Sequence, residues 1–190
     1  MDKEIKFEIK RKFIHLLIGF VSIILIYFLG TKFVFYFSLV IFSIMIYLRA
    51  KVLEKKRVLV LSKLIDIFER KEEKENEPGK GAMNFALSII LITSIFEKNT
   101  CILSILILSI SDTMASIVGK KFGRIKIKEN KTLEGCLSFF ISSLIICLFF
   151  MEIKKAIAVS LFAVLLELIV LLDDNLSIPL GVSFMVSMIA

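Results

Sequence analysis

A polytopic bundle of about seven transmembrane α-helices is the fold class that this sequence predicts. Apolar residues make up 57% of the 190 positions, and the mean hydropathy is +0.88. Apolar runs of roughly 15 to 20 residues cover most of the chain, close to the length that a helix needs to cross the hydrocarbon core. We therefore expect an all-α integral membrane protein with a single domain over residues 1–190.

Seven apolar windows define the predicted helices. In chain order they are Phe13–Leu29, Phe33–Leu48, Gly81–Phe96, Thr100–Val118, Leu133–Met151, Ala156–Leu172 and Pro179–Ala190. No small-residue cleavage site follows the first window before the second begins, so we expect the first window to stay as a helix rather than act as a cleaved signal. The last window has only about 12 residues, which is short for a crossing, and we expect it to be marginal as a span.

The connection over residues 49–80 is the longest polar stretch of the chain. Between Leu53 and Phe68 its apolar residues are interleaved with Lys and Glu, which predicts an amphipathic helix on the membrane surface. The mixed-charge run from Glu69 to Glu77 is typical of a solvated linker.

Basic residues are distributed very unevenly among the connections. Alternate connections hold 21 and 4 of the 25 lysines and arginines. The positive-inside rule therefore places the N-terminus, residues 49–80 and residues 119–132 on the cytoplasmic side, and alternation adds residues 173–177.

Asp112 is the strongest single candidate for chemistry. It ends the predicted fourth helix, and Ala115 and Gly119 lie beside it on a small-residue face. The glycines and cations that follow are Gly119, Lys120, Lys121, Gly123, Arg124, Lys126, Lys128 and Lys131. A carboxylate that can hold Mg²⁺, next to clustered cations, suits a nucleoside triphosphate. The alternative is that the cations only follow the positive-inside rule and bind anionic lipid, which leaves Asp112 unexplained.

The first helix also opens with a polar group. Arg11, His15 and Gly19 are four residues apart and share one face, and Gly19 would let a neighbouring helix approach closely. The alternative is that Arg11 and Lys12 only reach for lipid headgroups while His15 is a core histidine.

Two further entry points to helices carry polar residues. Lys80, between Gly79 and Gly81, could approach an anion or simply begin the third helix. The fifth helix opens with Lys131, Thr132, Glu134 and Gly135, which would either bind phosphate or cap the helix.

An acidic cluster follows the sixth helix. Glu167 lies inside that helix, and Asp173, Asp174 and Asn175 lie at its predicted C-terminal end. Acids there would oppose the helix macrodipole, which predicts a compensating cation or metal ion. The alternative is an exposed turn before Pro179.

Together these blocks resemble the polyprenol kinase family, which comprises dolichol kinase, phytol kinase and the CTP-dependent diacylglycerol kinase. The matching stretches recur in family order. They are Arg11–His15, Ser111–Ala115 with Gly119–Gly123, Asn130–Gly135, Glu167, and Asp173–Leu180. Ser111 stands where the family often has Gly, and Thr132 replaces a frequent Ser.

The resemblance implies a Mg²⁺-dependent transfer of a phosphoryl group from CTP to a lipid alcohol of the polyprenol, isoprenoid or diacylglycerol type. We expect Asp112 to act as metal ligand or base, Asp173, Asp174 and Glu167 as metal ligands, and His15 with Lys12 near the reacting groups. The expected phosphate-binding residues are Lys80, Gly119, Lys120, Lys121, Gly123, Arg124, Lys131, Thr132, Glu134 and Gly135. Arg11 and Asn175 are further site candidates.

We expect the enzyme in the cytoplasmic membrane, with its site facing the cytoplasm and no nucleic-acid partner. Two rival functions stay open at this point. A membrane cytidylyltransferase would make a CDP-lipid at a similar site, and a small transporter or lipid-binding protein would use Asp112 and Glu167 in an ion path. We also expect neutralisation of Asp112 to leave stability unchanged or raised, because it would remove a buried charge.

Overall fold

The computed structural model describes residues 3–53, 79–128, 131–169 and 173–189. Most of the connection over residues 49–80 lies outside the described residues, and so does Asn130. The amphipathic helix predicted for that connection therefore stays a prediction.

Helix α1 (Lys3–Leu53) is interrupted at Gly30, which divides it into a first arm, residues 3–29, and a second arm, residues 31–53. Gly30 has φ 84° and ψ 166°, a backbone conformation that residues with a Cβ rarely adopt. The first two predicted windows lie in these two arms. Lys98 donates a hydrogen bond from Nζ to the Tyr27 carbonyl at 2.8 Å and so fixes the end of the first arm.

Four helical segments follow α1 in the described chain. Helix α2 (Lys80–Ile95) is followed by α3 (Lys98–Leu106), a π-helical segment (Ile107–Ser111) and α4 (Asp112–Phe122). The helical run passes through Asp112 to Phe122, as the window Thr100–Val118 predicts, so the description of Asp112 as the end of that helix is wrong. The π-helical segment directly before Asp112 was not predicted, and such segments are common at functional sites.

A small β-hairpin separates α4 from the last three helices. Strand β1 (Lys126–Lys128) pairs antiparallel with β2 (Lys131–Thr132), and the sequence pattern had shown only a basic loop here. Helices α5 (Leu133–Leu148), α6 (Ile153–Ile169) and α7 (Asp174–Ile189) complete the described chain.

The start of α7 corrects the electrostatic argument made for its acids. Asp173 is the residue before α7, and its carbonyl accepts the backbone N–H groups of Leu176 and Ser177 at 3.0 Å each. Its Oδ1 accepts the Asn175 N–H at 2.9 Å. Asp173 and Asp174 therefore lie at a helix N-terminus, where the macrodipole favours acids, and not at an unfavourable C-terminus. The sequence had placed the start of this helix at Pro179, although proline is tolerated in the early part of a helix.

Close helix contacts depend on glycines. A Cβ at Gly19 would fall on the Ser109 side chain, which confirms the predicted close approach of a neighbouring helix to the first one. A Cβ at Gly135 would lie 3.0 Å from the Ala115 carbonyl oxygen and 3.4 Å from the Gly119 Cα. The small-residue face beside Asp112 is thus the surface on which α4 packs against α5.

Apolar helices cover much of the outside of the protein. Two described segments, Phe7–Lys51 and Lys98–Phe122, are long and apolar enough to cross a membrane, and α2, α5 and α7 are shorter apolar helices. Large side chains of α1 such as Phe28 and Tyr36 are strongly exposed, as expected for a surface that faces lipid. The architecture is that of a helical membrane protein, while the predicted number of seven crossing helices is not confirmed.

Candidate active site

A cleft of about 740 Å³ lies where the first arm of α1 meets α2, α4 and the N-terminal ends of α5 and α7. We call it the polar cleft because charged side chains line much of it. The basic residues are Arg11, Lys12, Lys80, Lys120, Lys126 and Lys131, and the acidic residues are Glu8, Asp112, Glu167, Asp173 and Asp174. Segments that are far apart in the sequence thus bring both charge types to one end of the helical bundle.

Lys12 and Asp112 form a buried ion pair in this cleft. The Lys12 Nζ donates to Asp112 Oδ2, and the two residues are only 6% and 5% exposed. The pair joins the first arm of α1 to the start of α4. Two charges removed from water in this way depend on each other, because either one alone would be a costly buried charge.

Glu8 is the cleft residue that the sequence analysis missed. It is 1% exposed and accepts hydrogen bonds from Arg11 at 2.6 Å and from Lys120 Nζ at 2.7 Å. It thereby holds two cations at the cleft. The three-residue helical spacing between Glu8 and Arg11 indicates an ion pair, but the pair lies before the first apolar window, where no site was predicted.

Lys131 connects the acids of α6 and α7. Its Nζ lies 2.7 Å from Glu167 Oε1 and 2.9 Å from Asp174 Oδ2. Burial by itself would lower the pKa of Lys131, but the carboxylates of Asp174 and Glu167 raise that pKa above its ordinary value. The lysine therefore stays charged between these two carboxylates.

His15 presents an imidazole to the polar cleft. Its ring packs edge-on against Phe85, with 5.4 Å between the ring centroids. Among the described residues, the buried Nε2 has no hydrogen-bond partner. Because buried polar atoms are nearly always hydrogen-bonded in native proteins, an unpaired nitrogen in a cleft indicates a position for a ligand group.

The four predicted metal ligands do not form a ready-made metal cage. Within residues 3–53, 79–128, 131–169 and 173–189, no group of three or more His, Cys, Asp or Glu side chains is placed to hold a metal ion. Asp173 makes no ion pair with any described lysine or arginine, unlike Asp112, Glu167 and Asp174. A Mg²⁺ ion that shares phosphate oxygens needs only one or two carboxylates, so this donor set fits a metal that arrives with a nucleotide.

Several predicted phosphate ligands lie around the β-hairpin and stabilise local structure. The Thr132 hydroxyl accepts the Gly135 N–H at 3.2 Å and so caps α5. Glu134 accepts the Arg124 backbone N–H at 3.0 Å. The exposed Lys121 places its Nζ over the Phe122 ring, 5.1 Å from the centroid.

Predicted site residues thus divide into two groups. Those that line the polar cleft are Arg11, Lys12, His15, Lys80, Asp112, Gly119, Lys120, Lys131, Thr132, Gly135, Glu167, Asp173, Asp174 and Asn175. Those outside its lining are Lys121, Gly123, Arg124 and Glu134. Asn175 also ties α7 to the start of α2, because its Nδ2 donates to the Gly81 carbonyl at 3.4 Å.

Known proteins similar to this chain include enzymes that phosphorylate lipids. The chain is 40% identical to the dolichol kinase of Saccharomyces cerevisiae over 85 residues, which cover 38% of this chain and 16% of that enzyme. It is 28% identical to the CTP-dependent diacylglycerol kinase of the same yeast over 150 residues, which cover 75% of this chain and 50% of that enzyme. These similarities support the assignment of the chain to the polyprenol kinase family.

An archaeal relative is similar over a larger share of its own length. An uncharacterised protein of Methanocaldococcus jannaschii is 33% identical over 133 residues, which cover 67% of this chain and 66% of that protein. No protein-family profile and no solved structure matches the chain. The chain spans half or less of the length of the named lipid kinases that it matches. The similarity to the named lipid kinases confirms the resemblance stated from the sequence blocks.

Proposed function

We propose that the protein transfers the terminal phosphoryl group of CTP to the hydroxyl of a lipid alcohol, and that the reaction takes place in the polar cleft. The observation that carries this proposal is the placement of His15 and the Lys12–Asp112 pair among many cations in a cleft that also has an apolar wall. A charged phosphoryl donor needs the cations of such a site, and an apolar acceptor needs its apolar wall. The choice of CTP as donor is supported by the names of the diacylglycerol kinase relatives.

Cations of the cleft would hold the phosphates. Lys120 and Lys131 reach the cleft from the end of α4 and from β2, and both are already paired with carboxylates. Phosphate oxygens would replace Glu8, Glu167 and Asp174 as partners of these lysines. Phosphoryl transfer depends largely on such positioning and on stabilisation of the charge on the transferred group.

A divalent ion fits the acidic side of the cleft. Asp173, together with Asp112 or Asp174, would hold Mg²⁺, which would neutralise phosphate charge when bound. Asp173 is the best placed of these because its carboxylate has no cation partner among the described residues.

The attacking hydroxyl would lie at His15. The Oδ2 atom of Asp112 already accepts a hydrogen bond from Lys12, whereas His15 Nε2 has no partner among the described residues and can accept a hydrogen bond from the lipid hydroxyl. The lipid oxygen forms a bond to the γ-phosphorus, the bond from that phosphorus to the bridging oxygen breaks, and CDP leaves. The proton of the hydroxyl passes to His15 Nε2.

The test is product analysis with purified protein. CTP and ATP, each labelled either in the γ-phosphate or in the base, would be incubated with diacylglycerol, dolichol and phytol in lipid micelles containing Mg²⁺. We expect γ-label in a lipid monophosphate and base label in CDP. A parallel incubation would supply a lipid monophosphate such as phosphatidic acid as acceptor, and base label in a CDP-lipid with release of pyrophosphate would there identify a cytidylyltransferase instead. If no acceptor gives a labelled lipid, the result would contradict the proposal and favour the alternative of a transporter or lipid-binding protein.

A further inference from the structure

An apolar groove of about 260 Å³ runs along α1 beside the polar cleft. Both arms of α1 and one face of α2 form its walls. Its lining includes Leu17, Val21, Leu25, Val34, Phe37 and Ile89.

The apolar groove borders the polar cleft. Four residues, Ile18, Ile41, Phe85 and Ala86, line both cavities. Phe85 is also the residue against which the His15 ring packs. The groove therefore begins beside the ring that packs against His15 and leads away from it along the first arm of α1.

The groove has a buried floor and an exposed apolar rim. Val34 and Ile89 are 1% and 3% exposed, whereas Leu17 and Phe37 are 47% and 44% exposed. The hydroxyl of Ser22 donates to the Ile18 carbonyl at 2.9 Å, so this polar group of the lining has a partner within its own helix. Such a groove offers a hydrocarbon chain an apolar floor and access from the side.

We propose that the apolar groove binds the hydrocarbon chain of the acceptor alcohol and that it thereby places the hydroxyl at His15. The inference rests on the proposed function, because that function supplies an acceptor with a polar end and a long apolar chain. The walls that the groove shares with the polar cleft distinguish this occupant from an ordinary bilayer lipid. From residue 15 to residue 25 the helix rises about 15 Å, so the groove would hold the part of the chain next to the hydroxyl.

The first test compares two matched serines of α1. Ser22 lines the groove, and Ser43 lines neither cavity, yet each hydroxyl donates to the carbonyl four residues earlier at 2.9 Å. Ser22→Leu should fill the groove, whereas Ser43→Leu makes the same chemical change on an exposed surface. Ser38→Leu, at a buried groove position on the second arm, is a second filling variant in case the first does not fold.

The readout is the ratio of kcat/KM for long and short acceptors. Geranylgeraniol would be compared with geraniol, and dioleoylglycerol with dihexanoylglycerol. Filling the groove should lower this ratio by about tenfold, which corresponds to the loss of roughly two buried methylene groups. The KM for CTP should not change, and Ser43→Leu should keep the parent ratio. An unchanged ratio in both filling variants would overturn the proposal.

A binding measurement separates this proposal from the proposed function. A long-chain alcohol with a diazirine near its hydroxyl-proximal carbons would be photo-cross-linked to the purified parent protein. We expect labelling of groove residues that excess unlabelled alcohol suppresses. Such labelling without any phosphorylated product would contradict the proposed kinase function and support the proposal that the groove binds the hydrocarbon chain. Product formation together with labelling that is not suppressed would support the proposed kinase function and contradict the groove proposal, because bulk lipid would then occupy the groove.

Discussion

Replacement of Asp112 by Asn should destabilise the protein, which reverses the expectation drawn from the sequence. The sequence showed a costly buried carboxylate, but the structure pairs it with Lys12, which is 6% exposed. Neutralising the acid leaves the lysine charge buried without its partner. Breaking a buried ion pair in this way costs about 3 to 5 kcal/mol.

The size of this effect makes it measurable by thermal unfolding in detergent. For a chain of this length, about 3 to 5 kcal/mol lowers the unfolding midpoint by roughly 6 to 20 °C. The double variant Lys12→Met with Asp112→Leu removes both charges and should recover most of the loss, but not activity. Glu152→Gln, at an exposed acid at the start of α6, serves as the control and should change stability by no more than about 0.5 kcal/mol. A midpoint for Asp112→Asn equal to that of the control would refute the buried pair.

Four further predictions follow from the site and the fold. Gly19→Ala should destabilise by about 1 to 3 kcal/mol in thermal unfolding, because its Cβ would meet the π-helical segment; a midpoint equal to the parent's would contradict that contact. Thr132→Ala should cost about 1 kcal/mol as a lost helix cap and leave the KM for CTP unchanged, whereas a large rise in that KM would show that Thr132 binds phosphate as the sequence predicts. Asp173→Asn should raise the Mg²⁺ concentration for half-maximal activity more than the KM for the lipid, and an unchanged Mg²⁺ midpoint would remove it from the metal site. In intact cells, an impermeant thiol reagent should label Lys98→Cys but not Arg124→Cys, because the basic connections are predicted to face the cytoplasm. The described native cysteines are buried and should give little background labelling. Labelling at position 124 would contradict the predicted orientation.

Periodicity and length allowed the helices to be predicted, but not their boundaries. Each predicted apolar window overlaps a helix of the structure, because apolar runs of that length have few other stable conformations in lipid. The start of α7 was misplaced because Pro179 looks like a helix start, whereas the side-chain cap at Asp173 depends on local geometry. The packing of Gly119 against Gly135 is a contact between distant segments, and a sequence pattern does not report such a contact.

The residue types of the site could be predicted better than their partners. Lys12, Asp112, Lys131 and Glu167 were all selected from the sequence, but nothing in their spacing showed that Lys12 pairs with Asp112 or Lys131 with Glu167. These pairs join segments far apart in the chain, so they follow from the fold alone. Glu8 was missed although its spacing to Arg11 is visible in the sequence, because its second partner, Lys120, reaches it only through the fold.

The transfer of label from γ-labelled CTP to a lipid alcohol is the measurement that tests the central claim most directly. Parent protein, Asp112→Asn and Glu152→Gln would be compared at equal folded concentration in the same micelles. We predict labelled lipid monophosphate with the parent and with Glu152→Gln, and a rate at least about a hundredfold lower with folded Asp112→Asn. Near-normal transfer by Asp112→Asn, or unlabelled lipid with the parent protein, would contradict the account.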